Sequence, residues 1–118
     1  MDFAAMERVY DRLQADSNYR ILTARRDGIL AGSIMAILCY DLAASCRPFM
    51  VLENLIIRHD MRGRGIGKSL LSEAENLARS LDCFYIIGIS GMKRVEAHRL
   101  YEKTGFAADP VRGFRKFL

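Results

Sequence analysis

Apolar residues recur along this chain at two spacings, and the way the spacings alternate predicts the order of its elements. Phe3, Met6, Val9, Tyr10 and Leu13 fall at helical spacing, so residues 3–14 read as a helix that Asp16-Ser17-Asn18 ends. Residues 19–25 read as a strand. Arg26-Asp27-Gly28 reads as a turn, because Asp-Gly tolerates positive φ, and residues 29–40 form the long return strand of that hairpin. Residues 41–48, with Pro48, read as loop. The next strand spans 49–58, and Glu53 and Asn54 are unusual polar positions within its apolar run. Residues 67–81 form an amphipathic helix with Leu70, Leu71, Ala74, Leu77, Ala78 and Leu81 on one face. Residues 83–89 are almost wholly apolar, the pattern of a central strand covered on both faces. Residues 94–104 read as a helix with Gly105 as its C-cap and Phe106 placed to pack back, and residues 114–118 as a short final strand.

The β–α–β order around residues 49–89 implies a right-handed parallel crossover, whereas the hairpin before it is antiparallel. The expected fold is α/β in content (α+β in layout): a mixed, mostly antiparallel sheet with helices on both faces. The 118 residues form one domain over 1–118, long enough for a single core, with no repeat or linker.

Composition changes this picture little. Half the residues are apolar and about a quarter are charged, as in an ordinary soluble globular chain. The net charge of +4 suits a polyanionic ligand and also weak nucleic-acid contact. Cys39, Cys46 and Cys83 are odd in number and lack C-x-x-C spacing, so they read as buried thiols of a reducing compartment. His59 and His98 lack ligand spacing, so no metal is expected. The N-terminal stretch carries Asp2 and Glu7 and no apolar signal-peptide core, and no apolar run approaches membrane-spanning length. A cytoplasmic location follows as the expectation.

The candidate chemistry begins at residues 62–67, Arg-Gly-Arg-Gly-Ile-Gly, between an apolar strand and an amphipathic helix. Glycines at alternate positions clear side chains from the turn. The free amides and dipole of the helix N-terminus then favour an anion such as a pyrophosphate. Spacing separates the common phosphate loops. Gly67-Lys68-Ser69 supplies the second half of a P-loop, but the first glycine would have to be residue 62, which is Arg62. Gly63 and Gly65 fit the start of G-x-G-x-x-G, but the third position is Lys68. What fits is R-x-x-G-x-G, made by Arg62, Gly65 and Gly67.

About thirty residues further on, Ala97 to Phe106 has the form A-x-x-x-Y-x-x-x-G-F. The strand, the R-x-x-G-x-G turn, the helix, the second apolar strand and this motif together resemble the GNAT superfamily of acyl-CoA-dependent N-acetyltransferases. The specific resemblance runs from about Val51 to the C-terminus, and the earlier part agrees in element order. The resemblance implies the acyl-CoA N-acyltransferase fold, with a parallel strand pair splayed by a bulge near Ile57. It implies acetyl-CoA as co-substrate, its pantetheine arm paired with Leu55, Ile56 and Ile57. Its pyrophosphate would be held by Arg62, Gly63, Arg64, Gly65, Ile66, Gly67 and Lys68. The activity implied is transfer of acetyl to a primary amine by direct attack in a ternary complex. Two departures stand out. Relatives usually have a further strand and helix before the region seen here, and this chain starts at what reads as their second helix. Relatives often have Asn seven residues before the motif tyrosine, contacting the cofactor, where this chain has Arg94; it reads either as reaching a phosphate or, the favoured reading, as solvated at the helix start.

Acetyl transfer requires an amine to lose a proton, a carbonyl to be polarised, and a departing thiolate to gain a proton. Glu53 resembles the family's acidic residue on the strand before the turn and is the candidate base, acting through water. On residue type alone it reads equally as a strand carboxylate facing solvent or an Arg. Tyr101 resembles the family's tyrosine that protonates sulfur. A phenol stays protonated at neutral pH, although an aromatic there also reads as core. Oxyanion help would come from a backbone amide near Ile57. His98 reads as a surface helix residue.

The expected partner is a small-molecule or protein amine acceptor, with no membrane. An exposed first hairpin strand adds a homodimer to the expectations. Two other classes stay open here. One is a non-catalytic acyl-CoA-binding or sensor protein. The other, less favoured because no aromatics interleave with the basic residues, is a nucleic-acid module built on Arg58, Arg62, Arg64 and Lys68.

Overall fold

Two buried stripes, one on a sheet and one on a helix, form the core. The computed structural model describes residues 1–88, 94–107 and 113–118. Helix α1 spans Phe3–Ala15, and the Asp2 carboxylate accepts from the Ala5 amide at 2.9 Å, satisfying one of its orphan first-turn donors. Strands β1 (Tyr19–Arg26) and β2 (Ile29–Cys39) form an antiparallel hairpin closed at Arg26↔Ile29. Asp27 and Gly28 both have positive φ (52° and 78°), the two-residue turn expected of Asp-Gly. β3 (Phe49–Ile57) runs antiparallel to β2. Helix α2 (Ile66–Ser80) follows, and β4 (Ile86–Gly88) pairs parallel with β3. Helix α3 spans Val95–Lys103. The described sheet has the order β1-β2-β3-β4, so β1 lies at an edge.

Gly32, Ile34 and Ala36 of β2 and Met50 and Leu52 of β3 are buried at alternate positions. Ile66, Leu70, Leu71, Ala74 and Ala78 of α2 close over this face, with Leu77 and Leu81 at its margin. Ile34, Met50 and Leu52 are fully buried, and burying each stabilises the fold by about 2–3 kcal/mol. Gly32 is needed here, because a β-carbon would stand 3.0 Å from the Ile56 carbonyl oxygen and 3.2 Å from Ile66 and Leu70 side-chain carbons.

β3 does not keep one parity. Ser33 pairs with Ile56 and Met35 with Glu53, so Asn54 and Leu55 together oppose Ile34. Asn54 has φ 57°, a left-handed conformation that Asn tolerates better than most residues. The extra residue switches the buried set from Met50 and Leu52 to Leu55. The bulge therefore sits at Asn54–Leu55, three residues before the position expected at Ile57. The described parallel ladder runs from Met50↔Ile86 to Leu52↔Gly88, so β3 extends past it by residues 53–57.

Three expectations need correction. β4 starts at Ile86, not Cys83, and it is the last strand of the described sheet, with Tyr85, Ile87 and Gly88 exposed rather than covered on both faces. The end of α2 takes up the start of the run: Asp82 has φ 60° and the Cys83 amide donates to the Ala78 carbonyl (2.9 Å). Arg47 Nε and Nη2 also donate to the carbonyls of Asp82 (3.3 Å) and Cys83 (3.2 Å), and Nη2 pairs with the Asp82 carboxylate at 3.2 Å. Ile89, the expected end of that strand, lies outside the described residues. Residues 114–118 are not in a strand, and Phe114, Phe117 and Leu118 are exposed. Finally, Cys39 and Cys83 are only half-buried and Cys46 is exposed; all three are free thiols.

Candidate active site

The turn after β3 opens α2 without a side-chain cap. Gly65 is the N-cap at φ 79° and Gly63 has φ 75°, both left-handed conformations that L side chains adopt only with strain. A β-carbon at either glycine would meet nothing within 4 Å, so conformation rather than crowding explains them. Gly67 differs. It is buried, and a β-carbon there would stand 2.5 Å from Leu100 Cδ2 and 2.8 Å from Ile57 Cδ1. The third glycine lets α2, α3 and the end of β3 meet. Arg62 Nε donates to the Ile57 carbonyl (3.4 Å), and the Arg64 carbonyl accepts from Arg26 (3.4 Å), which pins the turn to the hairpin.

Beside this turn lies a cavity of about 770 Å³. Leu55 and Ile57 of β3, Met61, Arg62, Gly63 and Gly65 of the turn, and Ile66, Gly67 and Lys68 of α2 line one side. Arg94, Val95, Glu96, Ala97, Leu100 and Lys103 of the α3 segment line the other. Arg62, Lys68, Arg94 and Lys103 outnumber the single carboxylate of Glu96 on these walls. With the positive end of the α2 dipole, the cavity favours an anion. Of the ten residues expected to hold cofactor, eight line it. Ile56 is exposed and, like Arg64, is not part of the lining. Among the described residues no group of three His, Cys, Asp or Glu side chains could hold a metal ion.

The Y-x-x-x-G-F sequence has a structural cause. The Phe106 amide donates to the Tyr101 carbonyl (3.0 Å) and the Gly105 amide to the Glu102 carbonyl (3.2 Å), with Gly105 at φ 94°. This is a Schellman motif, and its hydrophobic contact is the edge-to-face pair of Tyr101 and Phe106, with centroids 5.2 Å apart. The helix ending thus locks the Tyr101 ring. The other side of the ring lies over Gly88, where a β-carbon would stand 2.8 Å from it, so the strand glycine makes room for the tyrosine.

Tyr101 and Glu53 do not line the cavity; they lie close enough to each other to interact electrostatically. Burial pushes the Tyr101 hydroxyl above the ordinary tyrosine range, the Arg94 guanidinium pulls it back, and the Glu53 carboxylate pushes it up. The phenol is therefore held as a proton donor at neutral pH. Arg94 is the residue that sequence reasoning misplaced. Although exposed, it is not simply solvated: its Nη2 donates to the Leu55 carbonyl at 3.2 Å, beside the bulge. The available signal was its place at the N-cap of α3, seven residues before Tyr101.

With this geometry established, comparison decides the family. The Acetyltransferase (GNAT) family model matches residues 2–106. The chain belongs to the GNAT acetyltransferase family. No curated protein sequence matches this GNAT chain. Among solved structures it is similar to a transcriptional regulator from Bacillus halodurans C-125, with 23% identity and a TM-score of 0.89 over 97% of this chain and 76% of the other. It is also similar to glucosamine-6-phosphate N-acetyltransferase from Arabidopsis thaliana (17% identity, TM-score 0.81, 94% and 76% covered). A third is AAC(6')-Iy in complex with a bisubstrate analog, CoA-S-monomethyl-acetylneamine (19% identity, TM-score 0.80, 98% and 80% covered). At these identities the likenesses show the GNAT fold. Family membership supports acyl transfer as the general activity. Among the described residues no helix is long and apolar enough to cross a membrane.

Proposed function

We propose that this GNAT chain transfers an acetyl group from acetyl-CoA to a primary amine by direct attack in a ternary complex, as one domain over residues 1–118. One observation carries the reading: a single cation-rich cavity joins the uncapped N-terminus of α2 to the stretch of β3 that extends past the described parallel ladder. The turn amides, with Arg62 and Lys68, hold the pyrophosphate, and Arg64 adds charge from outside the lining. The backbone of Leu55, Ile56 and Ile57 pairs with the pantetheine arm. Both features would be weak alone; their meeting in one cavity is what an extended phosphorylated thioester requires.

Glu53 takes the proton from the amine through a water. A backbone amide near Ile57 meets the developing oxyanion. Tyr101 gives its hydroxyl proton to the sulfur as the carbon–sulfur bond breaks. The neighbour named for glucosamine-6-phosphate N-acetylation and the one bound to a CoA–acetylneamine analog support a small-molecule amine as acceptor, and a protein amine fits the same chemistry.

A second reading has one observation in its favour, the fold likeness to a protein named as a transcriptional regulator. On that reading the cavity binds an acyl-CoA without turnover. A panel of amines incubated with acetyl-CoA and the protein separates the two. The enzyme reading predicts amine-dependent thiol release and a product heavier by one acetyl group. Cofactor binding with no turnover across the panel overturns it.

A further inference from the structure

The proposed acid and base leave an electrostatic difficulty unresolved. When the carbon–sulfur bond breaks, its electron pair goes to sulfur and the Tyr101 proton follows, leaving a phenolate on a half-buried ring near the Glu53 carboxylate. Burial and a like charge both oppose that phenolate. Some group must offset them.

We propose that Arg94 is that group: a positioning residue that, tied to the Leu55 carbonyl, holds a guanidinium near Tyr101 and stabilises the phenolate Tyr101 leaves. Arg94 caps α3 and precedes Tyr101 by two helical turns, so both project from one side of the helix. Its Nη2 reaches across to the Leu55 carbonyl at 3.2 Å. Leu55 lies two residues beyond Glu53, so the tether brings the guanidinium to the stretch of β3 that carries the carboxylate. This carbonyl lies beside the bulge, where Asn54 and Leu55 share one partner residue on β2, and past the described parallel ladder with β4.

The charged and titratable groups around Tyr101 are few among the described residues. β3 contributes Glu53 and the start of α3 contributes Arg94. β4 presents Gly88, and the segment after α3 presents Phe106, neither of them charged. On α3 itself, His98 lies one turn before Tyr101. The net effect of Arg94 is to make Tyr101 a better acid than its surroundings alone would allow.

The catalytic consequence rests on the acyl-transfer reading, but the electrostatic core does not, so the two are tested apart. The Tyr101 hydroxyl is titrated by NMR of protein carrying ¹³C-labelled tyrosine, the signal assigned by its loss in Tyr101→Phe. Arg94→Met moves the titration to higher pH, Arg94→Lys keeps it near wild type, and Glu53→Gln moves it to lower pH. A Tyr101 titration unmoved in Arg94→Met overturns the proposal, as does a Lys variant that behaves like Met. Should Arg94→Met fold poorly, Arg94→Lys and Glu53→Gln still decide the sign. In turnover at saturating acetyl-CoA, Arg94→Met lowers kcat several-fold, part of the roughly hundredfold that a positioned acid contributes, and displaces the alkaline limb of kcat to higher pH; as a cation of the cavity wall its loss also raises KM for acetyl-CoA. If the titrations shift as stated and no amine is acetylated, the function reading fails and the charge relationship stands.

Discussion

A β-carbon on Gly67 would stand 2.5 Å from Leu100 Cδ2, which makes this glycine the contact through which α2 and α3 meet. Gly67→Ala must move Leu100 and Ile57 together and therefore destabilises the fold, by about 1–3 kcal/mol as overpacking generally does. Urea unfolding checks this. An unchanged midpoint would show that the packing gives way freely. Gly67 variants are accordingly poor probes of cofactor binding.

Lys68 is the cleaner probe of the anion site. It is exposed and lines the cavity in the first turn of α2. Lys68→Glu should leave the unfolding midpoint near wild type and weaken acetyl-CoA binding about tenfold, on the scale of one or two helix-terminus charge interactions. Calorimetry at low and high salt should show the gap closing as salt rises. Equal affinities at low salt would place the pyrophosphate elsewhere.

Tyr101→Phe removes only the hydroxyl from a ring held by Phe106 and Gly88. It should lower kcat by roughly a hundredfold or more with cofactor affinity little changed. A stability signature follows too. The folded-state hydroxyl titrates above the ordinary value of about 10. The folded state therefore keeps this proton where the unfolded chain releases it. That contribution is fully present below the unfolded-state value and is lost as pH rises through the folded one. Wild type should lose more stability than Tyr101→Phe on going above about pH 10, read by denaturant midpoints across that range.

Glu53→Gln should slow turnover most at low pH, where the free amine is scarce. The rate should recover as pH rises and the acceptor deprotonates unaided. A variant with a uniform loss across pH would mean that Glu53 positions the amine rather than taking its proton.

Much of the fold was legible because periodicity and turn chemistry agree. The α2 stripe of Leu70, Leu71, Ala74 and Ala78, the Asp27-Gly28 hairpin and the Gly105-Phe106 helix ending all emerge where local sequence demands them. What the sequence hid depends on long-range partners. The apolar run from Cys83 reads as strand, yet the Cys83 amide closes the end of α2 on the Ala78 carbonyl and its own carbonyl accepts from Arg47. The short apolar-rich end with Phe114, Phe117 and Leu118 finds no strand partner in the described residues. The bulge was half visible: Asn54 breaks an apolar run and tolerates left-handed φ, but only the register against β2 fixes it there rather than at Ile57. The tie from Arg94 to Leu55 spans 39 residues of chain, so the place of Arg94 at the start of α3 marks the residue but not its partner.

The most direct test of acetyl transfer in a ternary complex is an initial-velocity study, with acetyl-CoA and the best amine of a panel both varied and thiol release followed. The account predicts amine-dependent release and double-reciprocal lines that intersect, because both substrates are bound before the carbon–sulfur bond breaks. Parallel lines would indicate a covalent acetyl-enzyme, and release that ignores the amine would mean no transfer; either result contradicts it.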